Sequence, residues 1–230
     1  MRALAFEARR LSREAGFVVL ASVLHLASLL QSILDGSEPA GTVLFAPLLA
    51  AWVAAGDTAA NARGGRLDFV VTRGPSLAGL QLARFLLGWG CGTTLLAAST
   101  LTLVGRGQYL AYSLEYLGVV GYWAAVGALL GQRVSAAATL LLAVTTSVLA
   151  LWWHSTGAIL LLRQLPGEWP AVLITGVLQF LGCVIPSSEL SWLRSLPRSL
   201  AWLPWLLAPA LLGLALRAAR RRQLPAQEEG

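Results

Sequence analysis

The chain contains no lysine: all 17 of its basic residues are arginine. A phosphate-cradling loop of the Walker type needs a lysine to reach the nucleotide phosphates, and no such motif occurs, so the chain is not an ATPase of that kind. Charge of either sign is scarce. Only 12% of residues are charged and 57% are hydrophobic, with a mean hydropathy of +0.68, whereas a soluble domain carries about 25% charged residues. Too little polar surface exists to clothe a water-soluble globule. Two cysteines, Cys91 inside an apolar stretch and Cys183 far along the chain, are too few for a disulfide framework and read as small buried residues. There are two histidines, His25 and His154. They fall at different depths of separate apolar segments, which excludes a bis-histidine haem, and neither has the neighbours of a metal site such as a paired H-E-x-x-H.

What is present is a succession of long apolar runs in 230 residues, room for six or seven membrane crossings at about 20 residues each. Residues 1–15 mix Arg2, Arg9, Arg10 and Arg13 with Leu4, Phe6 and Leu11, the pattern of an interfacial helix lying on a membrane face. Gly16–Leu34 is free of charge and long enough to cross. Its length and its polar end at Gln31, Asp35 and Gly36 argue against a cleaved signal peptide. Val43–Ala55, Leu77–Val104, Tyr109–Gly131 and Ala136–Trp153 supply the next spans, and Ser199–Leu216 the last, with Pro204 and Pro209 expected to bend it. Between spans five and six, residues 154–198 alternate apolar stretches with Arg163, Pro166, Glu168, Pro170, Pro186, Glu189 and Pro197. The run Ala171–Ile185 is shorter than the about 18 residues of a spanning candidate and reads as re-entrant.

The arginines set the orientation. With both termini in the cytoplasm, thirteen arginines fall at the inner side and only Arg106, Arg163, Arg194 and Arg198 outside, as the positive-inside rule requires. This also explains the pI near 10.3 better than a nucleic-acid surface would. Six of the nine tryptophans, Trp152, Trp153, Trp169, Trp192, Trp202 and Trp205, fall in the region assigned to the outer interface, where indole rings are enriched. The expected fold is a single all-α integral membrane domain over residues 1–230, with an N-terminal interfacial helix, six transmembrane helices, an outer re-entrant segment between helices five and six, and a cytoplasmic tail from 217 to 230.

Few side chains carry chemistry. His25 lies mid-span, where polar groups are costly. Hydroxyls recur in span three, including Thr93 and Thr94, and in span five, including Thr145 and Thr146. These five residues are the candidates for a substrate path, although interhelical hydrogen bonding explains the hydroxyls equally well. Glu115 is placed to favour the start of span four, and Arg84 to snorkel to the inner face. Gly88-x-x-x-Gly92 and Gly127-x-x-x-Gly131 have the spacing of close helix contacts. Intramembrane proteolysis needs a nucleophile paired with a base; His154-Ser155 is the nearest pair, and no G-x-S-x-G elbow occurs.

The stretch from Asp57 to Arg84 has Asp57 closing span two, then Gly65-Arg66-Leu67-Asp68, the apolar triplet Phe69-Val70-Val71, the turn Pro75-Ser76 and finally Arg84. It resembles the segment between helices two and three of bacterial ABC-2 type transporter permeases. The resemblance implies a permease subunit without enzymatic activity or a bound cofactor, in the bacterial cytoplasmic membrane. Its partner would be a separate ATP-binding cassette ATPase that uses ATP and Mg. It further implies a second permease copy, or a related permease, and export or flipping of a lipid, peptide or hydrophobic compound. The loop 61–76 would couple to the ATPase through Asp57, Arg66, Leu67, Asp68, Phe69, Val70, Val71 and Arg73, a short amphipathic docking element of the kind that fits a partner's groove. The alternatives are a non-transporting membrane scaffold or assembly factor and, third, an intramembrane hydrolase.

Overall fold

A computed structural model describes residues 2–35, 40–56, 76–99, 109–152 and 202–223. They form seven helices and no strand: α1 (Arg2–Arg13), α2 (Ala15–Asp35), α3 (Ala40–Ala55), α4 (Leu77–Ser99), α5 (Tyr109–Leu130), α6 (Ala136–Trp152) and α7 (Leu203–Gln223). The chain is all-α over this range. Helix α1 corresponds to the expected interfacial helix, and α2 to α7 to the six apolar runs. Most of the loop 61–76, the whole of 154–198 and the end of the tail lie outside the described residues.

Local chemistry sets several boundaries. Ser76 caps α4: its hydroxyl accepts from the Gly79 N–H at 3.1 Å, and its carbonyl takes the Leu80 N–H at 2.9 Å. Ser135 does the same for α6 through the N–H groups of Ala138 and Thr139. At the other end of α3, Gly56 adopts φ +50°, the left-handed conformation in which glycine ends a helix at little cost. Two expectations need correcting. Pro204 is the second residue of α7, where a missing N–H costs nothing, leaving Pro209 as the proline inside that helix. Helix α7 also continues past Leu216 to Gln223, because Ala and Arg, which make up 217–222, are both strong helix formers.

The core is built around α3. Ala46, Ala50, Ala51, Ala54 and Ala55 are fully buried, and the neighbouring helices present glycine to them. A Cβ on Gly88 of α4 would lie 2.5 Å from the Ala50 carbonyl oxygen and 2.9 Å from the Ala54 Cβ; one on Gly92 would lie 2.7 Å from the Ala46 carbonyl oxygen. From α5, a Cβ on Gly127 or Gly131 would run into the carbonyls of Ala51 and Ala55. The two glycine pairs singled out by their spacing therefore grip two faces of the same helix, so that backbones rather than side chains meet. Helix α2 packs mainly on α4, α6 on α3, and α7 on α5 and α4.

These contacts fix directions. Helices α3, α5 and α7 run parallel, and α4 and α6 run against them; for α7, Gln132, just after α5, donates to the Ala215 carbonyl towards the end of α7 at 2.8 Å. Trp205, at the start of α7, meets Leu114 at the start of α5. As a result α6 ends and α7 begins at one end of the bundle. All ten arginines among the described residues belong to the opposite end: those of α1, Arg84, Arg133 and the four in α7. Asp35 and Glu115 sit on the far end of their helices.

The outer faces are apolar. Val19, Val23, Leu26 and Ile33 of α2, Leu141 and Leu142 of α6, and Leu206 and Leu214 of α7 are all more than half exposed. By length and composition, Leu203–Arg221 passes alone as a membrane-crossing helix, and Ala3–Arg13 with Ala15–Leu30, bent by 85°, passes as a pair. Phe45–Ala55, Tyr116–Leu130 and Ala136–Thr146 are apolar but shorter.

Gly127→Ala should destabilise the fold by about 1–3 kcal/mol, the usual cost of overpacking, whereas Gly90→Ala, where a Cβ meets nothing within 4 Å, should be neutral or slightly stabilising. Thermal unfolding of the two purified variants checks this; equal midpoints would show that α3 and α5 are not in backbone contact.

Candidate functional site

The most unusual chemistry lies at the arginine-rich end, where α1 turns into α2. Glu7 is fully buried, yet it is a carboxylate on a helix otherwise rich in arginine. It is held from two sides. Arg84 of α4, only 3% exposed, places Nε and Nη2 each 2.9 Å from Glu7 Oε1, and Arg10 donates from Nε to Oε2 at 2.7 Å. Both carboxylate oxygens are thus taken by charge-assisted donors, the condition under which a buried ion is tolerated. The expectation that Arg84 snorkels out of the bundle is corrected: it turns inward because a carboxylate is there to receive it.

The guanidinium of Arg84 also covers the end of α3. A Cβ on Gly56 would lie 2.9 Å from Arg84 Cζ, so Gly56 is required both by its positive φ and by the close approach of this side chain. One arginine therefore links α1, the body of α4 and the glycine that follows α3, after which the expected coupling loop begins. Asp57, Arg66, Leu67, Asp68, Phe69, Val70, Val71 and Arg73 lie outside the described residues.

Beside this ion pair is a shallow, open cleft of about 30 Å³ lined by Arg10, Leu11, Glu14, Phe17, Trp52, Val53, Gly56 and Ala136. Arg10 Nη1 reaches Glu14 Oε2 at a long 3.5 Å. The opposite wall is aromatic, with Phe17 and Trp52 rings 5.9 Å apart.

The candidate substrate-path residues separate into two groups. His25 and Thr94 meet: His25 Nε2 is 3.0 Å from Thr94 Oγ1, and His25 Nδ1 is 2.7 Å from the Ala21 carbonyl. A carbonyl only accepts, so Nδ1 carries a proton. The neutral ring then accepts from the Thr94 hydroxyl at Nε2. The single Thr94 hydroxyl proton is shared between this bond and the Cys91 carbonyl, 2.9 Å away. Thr93 is half-buried on the same helix. Thr145 and Thr146 are on α6, which packs on α3 and α5 rather than on α2 or α4, and Thr146 returns its hydroxyl to the Leu142 carbonyl at 2.7 Å. Among the described residues, His25 and Thr94 are in contact, and Thr145 and Thr146 lie on a helix packed on other neighbours. His154 and the side chain of Glu115 lie outside the described residues.

The sequence reading missed Glu7. The available signal was a lone acid at i−3 from Arg10 on the face that carries Leu11, a position where a buried carboxylate needs a distant cation. Compared with protein-family models, curated proteins and solved structures, the chain has no match.

Glu7→Gln leaves Arg84 buried without its counter-charge and should destabilise the protein by about 3–5 kcal/mol, while Glu7→Leu combined with Arg84→Met should recover most of that loss. Heat-induced loss of the monodisperse protein, compared across the single and double variants, reads the coupling. Additive losses would mean that the two groups do not act as a pair.

Proposed function

We propose that the chain is the permease subunit of an ATP-binding cassette exporter of the ABC-2 type, a six-span protein of the bacterial cytoplasmic membrane. The observation that carries this reading is the segregation of charge: all ten described arginines sit at one end of a bundle whose outer faces are apolar. Such asymmetry has no use in an isotropic solvent, but it is what a bilayer with a positive inner boundary selects. With that end in the cytoplasm, both termini are cytoplasmic. Helix α1 then lies along the inner interface, consistent with its 85° bend from α2 and its exposed Arg9 and Arg13. Helix α6 ends and α7 begins at the opposite end, which supports the reading that Ala171–Ile185 does not cross.

In this reading energy comes from a separate cassette ATPase that binds ATP and Mg and docks on the loop after Gly56. Movement of that loop reaches α4 and α1 through Arg84 and Glu7. A second copy, or a related permease, completes the conduit, since six spans make only half of the twelve-helix conduit that the resemblance implies. The exported compound is a lipid, a peptide or a hydrophobic small molecule, in keeping with a polar lining of hydroxyls and one imidazole rather than fixed charge.

The chain purified from its native membranes in mild detergent should bring with it an ATP-binding cassette subunit identifiable by mass spectrometry. Phe69→Ala, losing about 1.5–3 kcal/mol of apolar burial, should lower that association by about ten- to a hundredfold while leaving insertion unchanged. An intact membrane complex containing no such ATPase would favour the scaffold reading instead.

A further inference from the structure

The elbow pocket has two faces of different character. Its polar wall is Arg10 and Glu14, one positive and one negative charge, whose mutual contact at 3.5 Å is long for an ion pair. Its other wall is Leu11, Phe17, Trp52 and Val53. Arg10 uses Nε on the buried Glu7, which fixes the guanidinium plane and directs Nη1 towards Glu14. The side chain of Glu14 is 48% exposed and that of Arg10 28%. From Phe17 onward, α2 leads away from the pocket along an exposed apolar face that includes Val18, Val19 and Val23.

An anion alone fits poorly, because Glu7, Glu14, Arg10 and Arg84 sum to zero charge and Glu14 would repel it. A zwitterion fits: its negative group takes Arg10 and its positive group takes Glu14, replacing one long contact by two charge-assisted ones. The spacing demands that the two charges be only a few atoms apart. Resting on the membrane reading above, which puts this elbow at the inner interface, we infer that the pocket binds the phosphoethanolamine headgroup of a membrane lipid. Its phosphate lies on Arg10, its ammonium on Glu14, and its acyl chains run along the exposed face of α2. A choline headgroup carries the same charge but has no N–H to donate to Glu14. A glycerol headgroup has no cation at all.

The test uses the full-length chain purified in detergent and titrated with phosphatidylethanolamine, phosphatidylcholine or phosphatidylglycerol of matched acyl chains, with retained lipid read by native mass spectrometry. Phosphatidylethanolamine should be retained about tenfold better than either competitor, the size of a single charge-assisted contact. Glu14→Gln, a change at an exposed side chain that leaves Glu7 and Arg84 in place, should abolish that preference, and Glu14→Asp should restore part of it. Equal retention of the three lipids, a preference for phosphatidylglycerol, or a preference unaltered in Glu14→Gln would each overturn the assignment. Alkaline washing separates this failure from failure of the underlying reading: a chain stripped from membranes is not integral, whereas an integral chain that does not discriminate loses only the headgroup site.

Discussion

The fold depends on how closely α4 and α5 can approach the backbone of α3. Five buried alanines on α3 face four glycines, Gly88, Gly92, Gly127 and Gly131, and the contacts are between main-chain atoms. In a protein with few charges and apolar outer faces, burial of hydrocarbon offers little reason for one helix to choose another. Close packing and interhelical hydrogen bonds then supply the specificity. The polar side chains follow that logic by reaching across helices to carbonyls: Gln81 to Ala128, Trp89 to Leu117, Trp205 to Leu114 and Gln132 to Ala215.

Upon this apolar frame one polar constraint is imposed, the Glu7–Arg84 pair. It is costly to desolvate and contributes little net stability by itself, but it fixes position. Were α1 held only by Leu11, it could slide or rotate over the ends of α2 and α4. A carboxylate with both oxygens occupied sets one register, and Arg84 extends that register to Gly56 at the exit of α3. Three segments far apart in sequence are thereby tied to one register.

Much of this was legible in the sequence, because hydropathy and capping are local. The apolar runs gave the long helices to within a few residues where both are described, except that α7 runs on from Leu216 to Gln223, and Pro75-Ser76 and the turn before Ala136 marked starts that Ser76 and Ser135 cap. The glycine pairs were visible as spacings, but that both address α3 was not, since a spacing names a face and never its partner. Glu7 and Arg84 are 77 residues apart, and each alone looked like an ordinary charge near a helix end. The difference between snorkelling outward and pairing inward depends on a neighbour that no local pattern reveals. His25 and Thr94, 69 residues apart, are hidden in the same way, as is the separation of Thr145 and Thr146 from them.

The central claim is that the arginine end is cytoplasmic and that the chain crosses the membrane six times. Single cysteines, introduced into a background where Cys91 and Cys183 are replaced by alanine and probed in intact cells and in inverted vesicles with a membrane-impermeant maleimide, test it directly. Ser12, Arg133 and Gln223 should label only from the cytoplasmic side, and Gly167 and Ser188 both from the outer side. Labelling of Gly167 and Ser188 from opposite sides would contradict the six-span arrangement, and labelling of Ser12 and Gln223 from the outside would reverse the orientation on which the transporter reading rests.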